Sequence, residues 1–166
     1  MARIKVVNEP TDLVGLLTAV DSPVKRDVYL ALTSGWESER TIESRFGMGG
    51  RSALSQFDKQ DLLESRWEST AEGPKKMFHV RYSSFKIDTT APMVELSEVL
   101  SAAMMPAEEF MSKEEALVGL ANTTGVNLID ASARMALSQT MLRALVKRSS
   151  RLEMKGLRIG PSGPQK

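Results

Sequence analysis

The chain has 166 residues, a net charge of +1 and no cysteine. A chain of this length suits one large domain, or a small domain with a helical extension. Without cysteine, disulfides, thiolate metal sites, cysteine nucleophiles and thiol redox sensing are all excluded. The first ten residues lack the apolar core of a signal peptide, and no apolar run approaches the roughly 20 residues of a membrane span. We therefore expect a cytoplasmic protein that does not contact a membrane.

The charge is distributed unevenly along the chain. Residues 1–88 carry 13 basic and 13 acidic side chains, residues 89–142 carry 2 and 7, and residues 143–166 carry 7 and 1. The three segments therefore have net charges of 0, −5 and +6. An acidic segment followed by a basic one suggests a nucleic-acid partner. Many DNA-binding domains are plainly basic, so the neutral first segment would have to act through the local placement of its positive side chains.

The first part of the chain predicts three short helices. An apolar pattern over 11–20 indicates the first of them. Ser22 as N-cap and Pro23 at the first helical position predict the start of the second helix, which ends at about residue 34. A third helix is expected over about 38–46.

A glycine-rich bend at 47–50 then opens a fourth helix, predicted over 51–60. Its apolar residues Ala53, Leu54 and Phe57 fall on one side. The opposite side is a polar ridge that consists of Arg51, Ser52, Ser55, Gln56 and Lys59.

A two-stranded hairpin is predicted after this helix. The expected strands are 64–69 and 76–82, and the second alternates apolar and polar residues in the pattern of a half-buried strand. The turn at 72–74 contains glycine and proline, and Lys75 and Lys76 follow it directly. The hairpin is therefore expected to carry positive charge at its tip.

From residue 22 onward, this order of two helices, a bend, a polar helix and a hairpin is that of a winged helix-turn-helix. The third helix of such a unit, here the predicted helix 51–60, can lie in the major groove of double-stranded DNA. Arginine pairs with guanine, glutamine with adenine, and serine with base edges or phosphate, so the polar ridge is predicted to read bases. Lys75 and Lys76 are predicted to contact phosphates, which fixes register rather than sequence. The alternative is an ordinary solvent-exposed helix face and hairpin.

The remaining part of the chain is predicted to be helical. A helix is expected over about 94–103, another is expected to begin at a capping box formed by Ser112 and Glu115, and the last runs from about 128 to 148. The last helix has an apolar side that we predict to form a homodimer interface, because a winged-helix unit already has its own core. The residues of this side are Ala133, Ala136, Leu137, Met141, Ala144 and Leu145. A single monomeric core is the alternative.

The two tryptophans and a C-terminal basic cluster each have two possible roles. Trp36 and Trp67 are expected to pack against other side chains rather than to stack on bases. A basic cluster near the C-terminus either touches flanking DNA or is a solvated helix end, and it consists of Arg143, Lys147, Arg148, Arg151, Lys155 and Arg158.

Three segments resemble the winged-helix module of ArsR-type transcriptional regulators, especially archaeal ones. They are SPVKRDVYLAL at 22–32, IESRFG at 42–47 and LSQFDKQDLLE at 54–64, and YSSFKID at 82–88 is also similar to the archaeal group. The resemblance covers roughly residues 12–88 and is weaker to about 110. It implies a homodimer bound to a palindromic operator, usually as a repressor, with a recognition helix at 51–60 and a wing at 64–82.

Metal-sensing members of this family use clusters of cysteine, histidine and carboxylates. Here cysteine is absent and His79 is the single histidine, so we expect no metal and no other cofactor. The glycines at 47–50 lack the Gly-Lys-Ser/Thr ending of a phosphate-binding loop. No Gly-x-Ser-x-Gly elbow is present for a serine nucleophile. We therefore predict that the protein is not an enzyme.

The sequence thus predicts a mostly α (α+β) fold with a winged helix-turn-helix domain at 11–88, a helical dimerisation region at 89–155 and a flexible tail at 156–166. The predicted function is a homodimeric, sequence-specific DNA-binding transcription regulator, with no indication of a small-molecule effector. The rival interpretation is a winged-helix module that binds protein within a larger complex and does not read bases. Its support is the zero net charge of residues 1–88.

Overall fold

The computed structural model describes residues 3–163, which divide into two compact units. The first unit contains residues 3–6 and 19–87, and the second contains residues 7–18 and 88–163. The elements up to residue 87 are β1 (Ile4–Val7), α1 (Asp12–Ala19), α2 (Pro23–Ser34), β2 (Glu37–Ser38), α3 (Glu39–Lys59), β3 (Leu63–Thr70), β4 (Gly73–Val80) and β5 (Ser84–Ile87). The chain continues as α4 (Met93–Met104), α5 (Ala107–Ala121), β6 (Val126–Asn127), α6 (Leu128–Met135), α7 (Gln139–Arg148), β7 (Leu152–Lys155) and β8 (Arg158–Pro161).

The start of α2 agrees with the sequence prediction. The Ser22 hydroxyl accepts a hydrogen bond from the backbone N–H of Lys25 at 3.3 Å, and Pro23 occupies the first helical position. This hydroxyl satisfies one of the N–H groups that a helix start leaves without an intrahelical partner. Val28 and Leu32 are fully buried and turn the apolar side of α2 toward the core.

Helix α3 is interrupted at Gly47, which has a positive φ of 66°. This residue divides α3 into segments 39–46 and 48–59, so the bend between the two helices is shorter than the predicted 47–50 and the following helix begins before Arg51. Gly50 lies inside the second segment. A Cβ atom there would come within 2.6 Å of Phe46 Cβ, so glycine allows the two segments to approach closely.

Strands β2, β4 and β3 form an antiparallel sheet in that order. Thr70 pairs with Gly73, so the β3–β4 hairpin turns at residues 71–72 and both strands are longer toward the tip than predicted. The sheet and helices of this unit enclose a core of Ala19, Val28, Leu32, Ile42, Ala53, Leu54, Phe57, Leu62, Leu63, Phe78 and Val80.

The second unit differs from the predicted helices in two places. Helix α5 begins after Pro106 and passes through Ser112, so the prediction of a helix start at Ser112 is wrong. The prediction of one long helix from 128 to 148 is also wrong, because the chain leaves the helix at Ala136. That residue has a left-handed φ of 52°, and α7 begins only after a new N-cap at Ser138.

Strands β6, β8 and β7 form a second antiparallel sheet in that order. Ile159 of β8 is fully buried, so the prediction of a flexible tail is wrong for 158–161, while 164–166 lie outside the described residues. Val14 of α1 belongs to the core of this unit. The winged helix-turn-helix domain was predicted to begin at residue 11, but residues 12–18 belong to the second unit.

Strands β1 and β5 form a two-stranded sheet that the sequence had not predicted. The predicted α+β fold with a winged helix-turn-helix is confirmed. Among the described helices, none has the length and apolarity that crossing a membrane requires.

Candidate nucleic-acid interface

The polar ridge of α3 faces away from the core of the first unit. Ala53, Leu54 and Phe57 fill the core side of the 48–59 segment and are almost completely buried. On the opposite side, the structure leaves Arg51, Ser52 and Ser55 exposed, and Gln56 and Lys59 half-buried.

A cleft of about 390 Å³ brings Arg51 together with the hairpin. Lys75 and Lys76 of β4 line it with Trp67 of β3, and Arg40 lies on the side formed by the first segment of α3. Three of the seven residues predicted to bind DNA therefore line one concave surface. The cleft is lined by Ser38, Glu39, Arg40, Glu43, Arg51, Trp67, Lys75 and Lys76.

The hairpin positions these side chains through its register. Trp67 lies directly opposite Lys76, and Glu68 lies opposite Lys75. The Lys76 ammonium lies 5.1 Å from the centre of the Phe78 ring, a cation–π distance that holds the lysine stem against the hairpin.

The two tryptophans differ in their surroundings. Trp36 stacks on His79 with 5.2 Å between ring centres, and the Arg66 guanidinium lies 4.2 Å from the Trp36 ring, so Trp36 packs as predicted. Trp67 is 70% exposed, so the prediction that it packs within the protein is wrong. The exposed ring leaves apolar surface in water beside Lys76, and its burial against a partner would be favourable.

Carboxylates hold the cationic side chains of the cleft. Arg51 Nε lies 2.8 Å from Glu39 Oε1, and its terminal nitrogen lies 3.9 Å from Glu43. Because these glutamates lie on the segment before the Gly47 break, the sequence did not indicate that they meet Arg51. They are spaced four residues apart, which places them on one face of that segment.

Glu72 has the same effect at the hairpin tip. Its Oε2 atom lies 2.8 Å from Lys75 Nζ and 3.4 Å from the Arg40 guanidinium. The hydrogen bond from Lys75, together with the positive charges of Lys75 and Arg40, lowers the pKa of Glu72 below its ordinary value. Lys75 is therefore held in an ion pair with Glu72 at neutral pH.

The residues predicted for a dimer interface do not share one surface. Ala144 and Leu145 are buried in the core of the second unit, so their side chains are not available to a partner. Ala133 and Ala136 are exposed. Only two of the six predicted residues line an apolar groove of about 750 Å³, whose lining includes Met93, Leu100, Met104, Met105, Leu137 and Met141.

The described residues contain no cluster of three or more histidine and acidic side chains that could hold a metal ion. His79 is engaged by its own surroundings. Its Nδ1 atom lies 2.8 Å from the carbonyl oxygen of Val80 and 3.7 Å from Glu64, and its ring stacks on Trp36.

A short bend between two helices, an outward polar ridge and an adjacent cationic hairpin define the winged helix-turn-helix class. Residues 7–162 match the model of the ArsR transcriptional regulator family. The chain therefore belongs to this family and is a transcriptional regulator, as the resemblance of its three segments indicated. A search of curated proteins finds no match to the chain.

Proposed function

We propose that the protein is a homodimeric repressor that reads a DNA sequence with the 48–59 segment of α3. The observation that carries this proposal is the cleft that gathers Arg51, Lys75, Lys76 and Trp67 beside the exposed polar ridge. Neutral proteins can bind DNA when their positive side chains are concentrated where phosphates pass.

In this proposal the polar ridge supplies sequence reading. Arg51 donates to guanine O6 and N7, and Gln56 pairs with adenine. Ser52 and Ser55 are short side chains on the exposed side, where they can donate to or accept from base edges. Lys59, near the end of the helix, contacts a base or the adjacent phosphate.

The hairpin supplies sequence-independent affinity. Lys75 and Lys76 contact phosphates, and each contact releases condensed counterions from the duplex. The exposed Trp67 ring covers apolar sugar edges beside these phosphates. Trp67 lies directly opposite Lys76 in the hairpin. This supports the role, because one stretch of the DNA backbone can then contact both side chains.

The homodimer is proposed to form through the groove of the second unit. Met93 and Met104 are each 79% exposed on α4, and Leu137 and Met141 line the same groove. Methionine side chains adapt to irregular apolar partners, and an exposed apolar surface of this kind favours association. Two copies would supply two reading helices about 34 Å apart on a palindromic site.

A protein-binding module is the second candidate function. The observation in its favour is the pairing of Arg51 and Lys75 with Glu39, Glu43 and Glu72, since these carboxylates repel phosphate. The two functions differ in one measurable property, which is whether the protein prefers any duplex sequence.

Selection of bound duplexes from a random pool at physiological salt tests the proposal. The expected result is enrichment of a two-fold symmetric sequence by the natural chain and loss of one conserved base pair in each half-site with Arg51→Ala. A pool that stays random for the natural chain would favour the protein-binding module.

A further inference from the structure

The second unit repeats the element order of the first. The first unit runs α2, β2, the two segments of α3, β3 and β4, with the sheet order β2-β4-β3. The second unit runs α5, β6, α6, α7, β7 and β8, with the sheet order β6-β8-β7. In each sheet the last strand pairs antiparallel with both the short first strand and the middle strand. Three helices followed by a hairpin of this order form a winged helix-turn-helix.

The two units also share the details of the turn between their second and third helices. Ser38 and Asn127 are the N-caps of the second helix, and the side chain of each accepts a backbone hydrogen bond. Nine residues after each cap the backbone adopts a positive φ, at Gly47 in the first unit and at Ala136 in the second. The two units thus share the nine-residue spacing between cap and turn, which makes their similarity more specific than element order alone.

The third helices, with the C-cap of α7 included, can be aligned by buried positions that follow the same spacing of three, one and three residues. These positions are Gly50, Ala53, Leu54 and Phe57 in the first unit, and Leu142, Leu145, Val146 and Ser149 in the second. This register places Gly50 three residues after the positive φ at Gly47 and Leu142 six residues after that at Ala136, because α7 begins only after the separate N-cap at Ser138. In it, Arg143 corresponds to Arg51, Ala144 to Ser52, Lys147 to Ser55 and Arg148 to Gln56.

The corresponding outward faces have opposite surroundings. Ser52 is exposed, whereas Ala144 is completely buried in one apolar core with Val99 and Ala102 of α4. Helices α4 and α7 pack against each other, so α4 covers the side of α7 that corresponds to the proposed DNA-reading side of α3.

Polar contacts fix this cover in place. The Arg148 guanidinium donates hydrogen bonds to the carbonyl oxygens of Ala102 at 2.9 Å and Met105 at 2.7 Å, at the end of α4. These carbonyls belong to a helix C-terminus, where cations are favourable. Lys147 pairs with Asp12 of α1 at 2.6 Å. Two side chains at reading positions are thus bound to elements of the same unit.

The hairpin of the second unit is also held by its own unit. Strands β7 and β8 have four residues each, against eight in β3 and β4. The carbonyl oxygen of Leu157 in the turn accepts a hydrogen bond from the Leu128 backbone N–H at 2.9 Å. The Arg158 guanidinium donates to the carbonyl oxygen of Gly125 at 2.9 Å. This hairpin therefore does not present a free cationic tip.

We propose that residues 107–161 are a second winged helix-turn-helix, which uses its reading face to bind a helix of the same chain instead of DNA. The partner is α4, recognised through Ala144 and Arg148. The consequence that only the first unit contacts DNA rests on the proposed function. A single chain then offers one reading helix, so a palindromic site requires a second copy.

Single-cysteine labelling tests the covered face without DNA, because the natural chain contains no cysteine. Ser52→Cys and Ala144→Cys place a thiol at corresponding positions of the two units. A maleimide is expected to modify Ser52→Cys rapidly and Ala144→Cys at least about 100-fold more slowly, since the latter requires local opening. Adding Arg148→Ala to Ala144→Cys should accelerate labelling. Equal rates for the two single variants would overturn the proposal.

Duplex binding by a variant that leaves the packed face intact tests the consequence. Arg143→Ala should keep the salt dependence of binding of the natural chain, whereas Arg51→Ala should lower affinity. Lower affinity together with a smaller salt slope for Arg143→Ala would place α7 on DNA and overturn the inference. If the natural chain binds no duplex, the proposed function fails, but the difference in labelling is still expected.

Discussion

Arg51 Nε lies 2.8 Å from Glu39 Oε1, which joins the two segments of α3 across the break at Gly47. This pair connects Arg51, the predicted base-reading arginine, to the Glu39 carboxylate, which would repel the phosphates of a bound duplex. Both side chains are about half exposed, so the pair contributes little to stability. Its importance is therefore expected in DNA affinity rather than in folding.

Replacing Arg51 should remove a base contact. Arg51→Ala is expected to cost about 1–3 kcal/mol on the target duplex and to relax sequence preference at one position. Glu39→Gln is the matched variant, and it should raise affinity because a negative charge near phosphate is removed. Titrations of both variants with target and scrambled duplexes provide the measurement. An unchanged sequence preference for Arg51→Ala would exclude it as a base reader.

The hairpin tip should control the salt dependence of binding. Lys75→Ala is expected to weaken binding to all sequences and to lower the slope of log affinity against log salt by about one. Glu72→Gln should strengthen binding, since Lys75 loses its competing carboxylate. Lys75 and Arg40 lower the pKa of Glu72, so this ion pair is lost only as the pH falls through that lowered pKa. A constant slope for Lys75→Ala would remove the hairpin from the interface.

Trp67 should contact the duplex through its exposed ring. Trp67→Ala is expected to reduce affinity by about 1 kcal/mol with little change in unfolding free energy, since the ring is mostly in water. In a Trp36→Phe background, the fluorescence of Trp67 should change on addition of the duplex. The Trp67→Phe variant in the same background is the spectroscopic control. An emission spectrum of Trp67 that does not change when the duplex is added would contradict the contact.

The groove of the second unit should determine the oligomeric state. Leu137→Glu places a charge at its half-buried edge and is expected to produce monomers in light scattering, because burying an unpaired carboxylate in an interface is unfavourable. Leu157→Glu is the control, since this residue is 61% exposed outside the groove. A dimer that persists with both Leu137→Glu and Met141→Glu would place the interface elsewhere.

Glycine at position 136, in the turn before α7, should stabilise the protein. Ala136 has a left-handed backbone, in which a Cβ atom is unfavourable. Ala136→Gly is therefore expected to raise the free energy of unfolding by about 0.5–1 kcal/mol, after the greater flexibility of glycine in the unfolded chain is included. Chemical denaturation measures the change. Ala133→Gly, within helix α6, should instead lower stability by a similar amount.

Local sequence pattern determines less of the C-terminal half than of the first unit. The apolar spacing over 128–148 continues through Ala136, so periodicity alone predicted one helix. The short strands β7 and β8 carry a weak pattern, and glycines near them suggested a loose tail. Their pairing joins β8 to β6, more than 30 residues earlier in the chain. Such a contact depends on tertiary packing, which local propensity does not report.

The sequence by itself determined the cap at Ser22, the polar ridge of α3 and the cationic hairpin, because caps, helical periodicity and strand alternation depend on neighbouring residues. The tertiary structure alone decided that Arg51 meets Glu39, that Trp67 lies in water and that Ala144 is covered by α4. These outcomes depend on which distant elements pack together, and burial is a property of that packing rather than of any single segment.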